Sequence, residues 1–139
     1  MQPVYINYFA VLLSALVSMG LGALWYSPLL FGKQWIALMG FTPEKMEAAK
    51  AKGMGKSYSI AFVGSLVMAC VLANFVSSMQ ITAVGAALQL GFLAWLGFVA
   101  TVSLGQVLWE GKSWKLYWIL NTYQLVSLLI SSVILTLWK

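Results

Sequence analysis

Three residue types that carry much of enzyme chemistry are missing from this sequence: it contains no histidine, no aspartate and no arginine. Without imidazole and aspartate, the chain lacks the usual zinc and haem ligand sets and any Ser-His-Asp constellation. Its single cysteine, Cys70, excludes a disulfide framework and a paired thiol site. We therefore expect a protein that is not an enzyme and that holds no cofactor and no metal.

Charge is almost as scarce, because 8% of the residues are charged while 62% are hydrophobic. Residues 57–109 contain no charged side chain. As one helix this stretch would be about 80 Å long, whereas the hydrocarbon core of a bilayer is about 30 Å thick. It therefore predicts two membrane-spanning helices, and the uncharged runs 2–32 and 116–138 predict one more on either side.

The predicted fold class is all-α: an integral membrane bundle of four transmembrane helices within one transmembrane domain, residues 1–139. The helices are predicted at about 5–27, 57–79, 82–108 and 115–138, with a long loop at 28–56. No lysine precedes the first apolar run and no small-residue cleavage site follows it, so we do not expect a cleaved signal peptide. The short links near 77–82 and 109–114 predict that helix 3 is the antiparallel neighbour of both helix 2 and helix 4.

Lysine supplies all the positive side-chain charge and is distributed asymmetrically. Seven of the eight lysines lie in or beside the loops 28–56 and 109–114. Because lysine-rich loops remain in the cytoplasm, both loops are predicted to be cytoplasmic and both termini outside. Lysines beside apolar spans argue against nucleic acid as a partner. They predict contact with the lipid bilayer, either as a topology signal or as a docking site for anionic lipid at the long loop.

The long loop has a helix signal of its own. Thr42, Pro43 and Glu44 are typical of a helix start, as N-cap, first-turn proline and first-turn acid. Lys50 and Gly53 suit the end of the same helix. Apolar residues within 35–39 would lie at the level of the lipid headgroups. The sequence thus predicts a short cytoplasmic interfacial helix after helix 1.

Polar residues inside the apolar spans need a physical explanation, because an unpaired amide in hydrocarbon costs several kcal/mol. Depth counted from the tight turns places one group on helices 3 and 4 near the inner turn and another pair in the outer third of helices 2 and 3. These residues form the candidate polar face: Asn121, Gln124, Tyr117, Gln106, Ser103, Asn74 and Gln89. They are either hydrogen-bonded contacts between helices or the lining of a pathway between helices 3 and 4. Trp95, at mid-span, is expected to be a buried aromatic residue that fills the bundle, with a gate or a pocket wall as the alternative.

Small residues recur at a spacing of four on several predicted spans, as in Ala61, Ser65, Ala69, Ala73 and Ser77 of helix 2. Without a hydrophobic driving force between helices in lipid, such ridges predict close helix packing. Whether they pack within one chain or between chains is left open by the sequence, and we expect self-association.

The segment 22–35, Gly-Ala-Leu-Trp-Tyr-Ser-Pro-Leu-Leu-Phe-Gly-Lys-Gln-Trp, resembles the signature of a family of small bacterial membrane proteins, domain of unknown function 1761. Residues 121–126 and Trp138 are similar to the last helix of that family. The resemblance implies a four-helix inner-membrane protein and brings no catalytic residues.

The family-like segment also has a physical interpretation, in which it forms an interfacial signature: Trp25, Tyr26, Ser27, Pro28, Gly32, Lys33 and Trp35. Pro28 would end the first helix, Gly32 would permit a turn, and the aromatic residues with Lys33 would anchor the chain at the interface. A lipid-headgroup site between Tyr26, Lys33 and Trp35 is the alternative.

The function that these features favour is that of a non-catalytic integral membrane protein, either a homo-oligomer or a subunit of a membrane complex. The alternative is a small oligomeric transporter or channel for an ion or small polar solute, with a pathway lined by helices 3 and 4.

Overall fold

The computed structural model describes residues 4–138 and is all-helical over that range. Seven α-helices follow one another: α1 Tyr8–Trp25, α2 Gly32–Met39, α3 Pro43–Lys52, α4 Gly55–Ser78, α5 Val84–Trp95, α6 Thr101–Leu108 and α7 Trp114–Leu137. A π-helical turn, Leu96–Ala100, joins α5 to α6, so that Val84–Leu108 is one continuous helical rod.

Four helical segments are long and apolar enough to cross a membrane: Tyr8–Trp25, Gly55–Ser78, Val84–Leu108 and Trp114–Leu137, called spans 1 to 4 below. The predicted all-α fold with four membrane-spanning helices is therefore confirmed at this level. The spans are bounded by local signals, since Asn7 caps span 1 and Ser113 caps span 4 through their side-chain oxygens. The turn before span 4 places Gly111 at a φ of 71°, a conformation that other residues adopt with strain.

The predicted helix in the long loop is present as α3. The Thr42 hydroxyl accepts a hydrogen bond from the backbone N–H of Lys45, Pro43 occupies the first turn, and the helix ends before Gly53. A second short helix, α2, precedes it over the apolar residues of the loop. Two helices therefore stand where the sequence predicts one.

Span 4 is the centre of the fold. It packs against spans 1, 2 and 3, while span 1 also packs against span 2. In an apolar segment of 18 residues, 44% of the residues of span 4 are buried, against 22% in the corresponding segment of each other span. The pairing of spans 3 and 4 agrees with the prediction from their short link.

Spans 2 and 3 make few close contacts with each other, although a turn of only a few residues, 79–83, connects them. The sequence predicts that they are antiparallel neighbours, and the two spans do line a common groove, but they are not in close contact. Small residues explain the difference: Ala69 and Ala73 of span 2 are buried on the side of spans 1 and 4, and Ala87 and Gly91 of span 3 are buried against span 4. The small-residue face of each span is therefore packed against other spans and is not available for contact between spans 2 and 3.

Candidate functional site

A polar cavity of about 340 Å³ lies between spans 3 and 4 in the half of the molecule nearest the lysine-rich loops. Four members of the predicted polar face line it, namely Ser103 and Gln106 from span 3 with Asn121 and Gln124 from span 4. Each pair is spaced three residues apart and so shares one helix face. The tight turn between the spans brings both pairs to the same half of the bundle. We take this cavity as the candidate functional site.

Asn121 is the most deeply buried polar residue of the cavity, with 2% of its surface exposed. Its side-chain N–H donates to the carbonyl of Tyr117 at 2.8 Å, one turn earlier in the same helix. The carbonyl of Asn121 in turn accepts the indole N–H of Trp95 at 2.8 Å. The amide oxygen of Asn121 thus remains as an acceptor at the cavity, and the contact between helices is made by its backbone.

Trp95 is buried, as the sequence predicts, with 7% of its surface exposed. Its indole lies between spans 3 and 4, where it donates to the Asn121 carbonyl.

Tyr117, which is also predicted on the polar face, is not among the residues that line the cavity. It is buried, and its hydroxyl donates to the carbonyl of Ala100 at 2.7 Å. Ala100 is the last residue of the π-helical turn, where the helical hydrogen-bond pattern shifts from its regular spacing. The Tyr117 hydroxyl therefore satisfies a backbone acceptor at an irregular point of span 3.

Asn74 and Gln89 are not part of this site. Both are exposed on the outer surfaces of spans 2 and 3. Asn74 accepts a hydrogen bond of 3.2 Å from Ser78, one turn further along span 2. The expectation that these two amides face the interior of the protein is wrong for the single chain, because their helices bury the opposite faces.

The family-like segment folds α2 back against span 4. Pro28 follows the end of span 1, and the Ser27 hydroxyl donates to the carbonyl of Leu24 at 2.6 Å. Gly32 is required for close approach: a Cβ there would lie 2.6 Å from the carbonyl oxygens of Tyr26 and Ser27. The predicted turn thus depends on the absence of a side chain at Gly32.

Aromatic residues of the same segment make specific contacts. The indole N–H of Trp25 donates to the carbonyl of Ile119 in span 4 at 2.9 Å. The Tyr26 ring lies 5.0 Å from that of Trp35 and 5.6 Å from that of Tyr123. Trp25 and Tyr26 are thus part of the packing between elements as well as residues of the span end.

Two of the three residues of the alternative headgroup site are brought together, Tyr26 and Trp35, while Lys33 is exposed. Tyr26 also lines the polar cavity. Burial, with a smaller contribution from Tyr123, raises the pKa of Tyr26 to about 12. Its hydroxyl therefore stays protonated at physiological pH and can donate a hydrogen bond into the cavity.

The sequence reasoning missed how span 1 is tied to span 4. The hydroxyls of Ser18 and Ser127 are hydrogen-bonded at 2.7 Å, and the Tyr123 hydroxyl donates to the carbonyl of Ser18 at 2.7 Å. A Cβ on Gly22 would lie 3.0 Å from the Tyr123 oxygen. The ridge of Ser14, Ser18 and Gly22 at a spacing of four was the available signal, but a ridge does not identify its partner.

The chemistry available at this site is that of neutral hydrogen bonding. Amides, hydroxyls and a protonated phenol line the cavity, and each can donate or accept without carrying charge. In the range 4–138 no three residues of the types His, Cys, Asp and Glu cluster as metal ligands would.

Comparison with known families gives a match over residues 9–136, most of the chain. The description of the matched family is "Protein of unknown function (DUF1761)". The chain belongs to this family, as the resemblance of residues 22–35 implied. Neither curated proteins nor solved structures give a match.

Proposed function

We propose that the protein is a non-catalytic, multi-pass protein of the bacterial inner membrane that works as a homo-oligomer, with its lysine-rich loops in the cytoplasm and both termini outside. The carrying observation is the exposed face of span 3, on which Gln89 lies between Gly85 and Gly97. Gly85, Gln89, Leu93 and Gly97 follow one row of residues four apart, in which Leu93 is the one large side chain. Large apolar side chains suit a lipid-facing surface, whereas small residues and amides are typical of contacts between membrane helices.

The single chain leaves this face uncovered. No atom lies within 4 Å of a Cβ built on Gly85 or on Gly97. Asn74 of span 2 adds a second exposed amide in the half nearest the chain termini. A second copy packed on this face of span 3 would give the Gln89 amide hydrogen-bonding partners in place of hydrocarbon, which supports self-association.

The oligomeric state in lipid tests the proposal. Native mass spectrometry of protein released from nanodiscs should show a dimer or larger assembly. Gly97→Leu should shift the population toward monomer, because its side chain would hold the two helices apart. Gly20→Leu is the matched control, since Gly20 of span 1 has equally open surroundings and lies away from this face. A monomer for the unchanged chain would contradict self-association.

The proposed orientation depends on the lysine distribution alone and has its own test. A reporter that fluoresces only in the cytoplasm should stay dark when fused after Lys139 and should fluoresce when inserted in the loop 28–56. The reverse pattern would overturn the orientation and leave the oligomer proposal standing.

Transport of a small polar solute is the second candidate, supported by the polar cavity between spans 3 and 4. A neighbouring cavity of about 360 Å³, lined by serines of spans 1, 2 and 4, shares Gln124 with it. The route between spans 3 and 4 nevertheless closes at Gly91, where a Cβ would meet the Ser132 hydroxyl at 2.9 Å. Glycerol-induced swelling of proteoliposomes that is lost in Asn121→Leu would favour transport, and swelling no faster than that of protein-free liposomes would rule it out.

A further inference from the structure

The polar cavity opens into an apolar groove. This groove, of about 550 Å³, lies between spans 2 and 3 with Leu128 of span 4 among its lining residues. Met68, Phe98 and Val99 line both spaces, so the two are adjoining compartments. Polar groups line the compartment nearer the lysine-rich loops, and almost entirely apolar atoms line the one that extends toward mid-span.

The polar compartment holds hydrogen-bonding groups that the protein itself does not use. Over residues 4–138, the side chains of Tyr26, Ser103, Gln106 and Gln124 make no hydrogen bond to protein, although each is partly buried. The amide oxygen of the buried Asn121 is available beside them. Unused donors and acceptors in an apolar layer are costly, so their convergence points to a bound polar group.

The uncharged lining of the two compartments limits which kind of polar group can bind there. Every residue that lines the two compartments is uncharged, since the lining consists of amides, hydroxyls, a protonated phenol and apolar side chains. A phosphate or ammonium group here would lose its hydration without meeting an opposite charge. Hydroxyl and carbonyl groups, in contrast, match amides and hydroxyls in both donating and accepting.

We propose that each chain binds a neutral lipid, whose uncharged hydroxyl- or carbonyl-bearing head lies among Asn121, Gln124 and Gln106 and whose hydrocarbon tail fills the groove between spans 2 and 3. The depth of the two compartments fits such a ligand, because a lipid of the leaflet nearest the loops has its head near that surface and its tail toward mid-span. The site lies within one chain and does not depend on self-association.

Photolabelling in nanodiscs tests the proposal. The probes are diacylglycerol, phosphatidylglycerol and phosphatidylethanolamine that carry the same diazirine-bearing acyl chain, each diluted to the same mole fraction in phosphatidylcholine. Labelled peptides from 64–75 and 94–99 are quantified by mass spectrometry. Diacylglycerol should label these peptides roughly tenfold more than either charged-head lipid, about threefold for each of two hydrogen bonds of the strength found in membranes. Equal labelling by all three probes would show only annular lipid and overturn the proposal.

Variants separate the two compartments. Asn121→Leu with Gln124→Leu should bring diacylglycerol labelling down to the level of the charged lipids, while Asn74→Leu, which removes an exposed amide, should leave it unchanged. Because Asn121 is buried, its substitution can also disturb folding, so Gly64→Phe provides an independent test. No atom lies within 4 Å of a Cβ built on Gly64, and a phenyl ring there would occupy the groove. Gly20→Phe is its control on open lipid-facing surface. Labelling that survives both the double substitution and Gly64→Phe would overturn the proposal.

A second copy of the chain is the competing occupant of the groove. Benzoylphenylalanine placed at Val71, which lines the groove, should form an adduct with lipid on irradiation. A covalent dimer as the main product would show that protein covers the groove, and the lipid site would then be excluded.

Discussion

Span 3 faces two neighbours in opposite ways. Toward span 4 it forms a closely packed contact, called the closed seam here, around Ala87, Gly91 and Trp95. Toward span 2 it leaves an open groove, although a short turn ties the two spans together. The comparison teaches that in lipid, where burying apolar side chains brings helices no gain over the acyl chains, a short link does not make two helices pack.

Two features distinguish the closed seam. Gly91 allows the helix backbones to approach, since even a Cβ would lie 3.1 Å from the carbonyl oxygen of Leu128. Side-chain donors of Trp95 and Tyr117 reach backbone carbonyls across the seam at 2.8 and 2.7 Å. The open groove between spans 2 and 3, called the open seam here, has Gly64 on one side, but no atom lies within 4 Å of a Cβ built on Gly64. Small residues therefore permit close packing, and hydrogen bonds with shape matching decide where it occurs.

The largest effect should come from placing the same side chain in both seams. Gly91→Leu should lower the free energy of unfolding by about 3 kcal/mol or more, because backbone atoms of span 4 cannot give way to the new side chain. Gly64→Leu should leave it nearly unchanged, since its new methyl groups enter an open groove. Unfolding in mixed micelles, followed by circular dichroism, measures both. Equal losses for the two variants would mean that the seams do not differ in packing.

A smaller effect should follow from deleting one hydroxyl of the closed seam. Tyr117→Phe keeps the ring but removes the hydroxyl that donates to the Ala100 carbonyl at the π-helical turn. Hydrogen bonds between membrane helices average about 0.6 kcal/mol and reach about 1.7 kcal/mol. We expect a loss near the upper value, because the carbonyl is buried and lies at the irregular turn.

Tyr58→Phe controls for the loss of a hydroxyl as such, since Tyr58 is 60% exposed near the start of span 2. The same unfolding measurement applies to both variants. If Tyr58→Phe costs as much as Tyr117→Phe, the hydrogen bond to the π-helical turn contributes nothing specific.

Much of the closed seam could be predicted from the sequence, and the open seam could not. Runs of residues without charge locate four spans. Counting from the turn at 109–114 places Ser103 and Gln106 opposite Tyr117 and Asn121, whereas the structure brings them to a cavity with Asn121 and Gln124. The same count gives the depths of Asn74 and Gln89 but not the side that each presents. That side depends on which ridge of small residues finds a partner, and several ridges of similar quality compete.

Other details are also invisible in the sequence because they are properties of contacts. Nothing in Leu96–Ala100 signals a π-helical turn, which becomes intelligible only beside the hydroxyl of Tyr117. The sequence indicates that Gly32 is a turn residue. The structure shows why only glycine fits, because a Cβ at this position would lie 2.6 Å from two carbonyl oxygens. Residue type limits what a position can do, and tertiary placement selects among those possibilities.

The smallest effect concerns a polar group of the closed seam that lacks a hydrogen bond. Ser132 is fully buried, and its hydroxyl has no partner in the described part of the chain. Ser132→Ala removes that hydroxyl without creating a large cavity, so the free energy of unfolding should stay level or rise by up to about 1 kcal/mol. The paired Ser18 is the control, because Ser18→Ala strands the Ser127 hydroxyl and should be destabilising.

The same hydroxyl also allows the packing in the closed seam to be tested by coupling. Its oxygen would lie 2.9 Å from a Cβ on Gly91, closer than the backbone atoms there. Gly91→Ala should therefore cost less stability in the Ser132→Ala background than in the unchanged chain, and a double-mutant cycle measures the difference. Additive effects would mean that backbone contacts alone set the limit at Gly91, and the approach of spans 3 and 4 would then be fixed by their main chains.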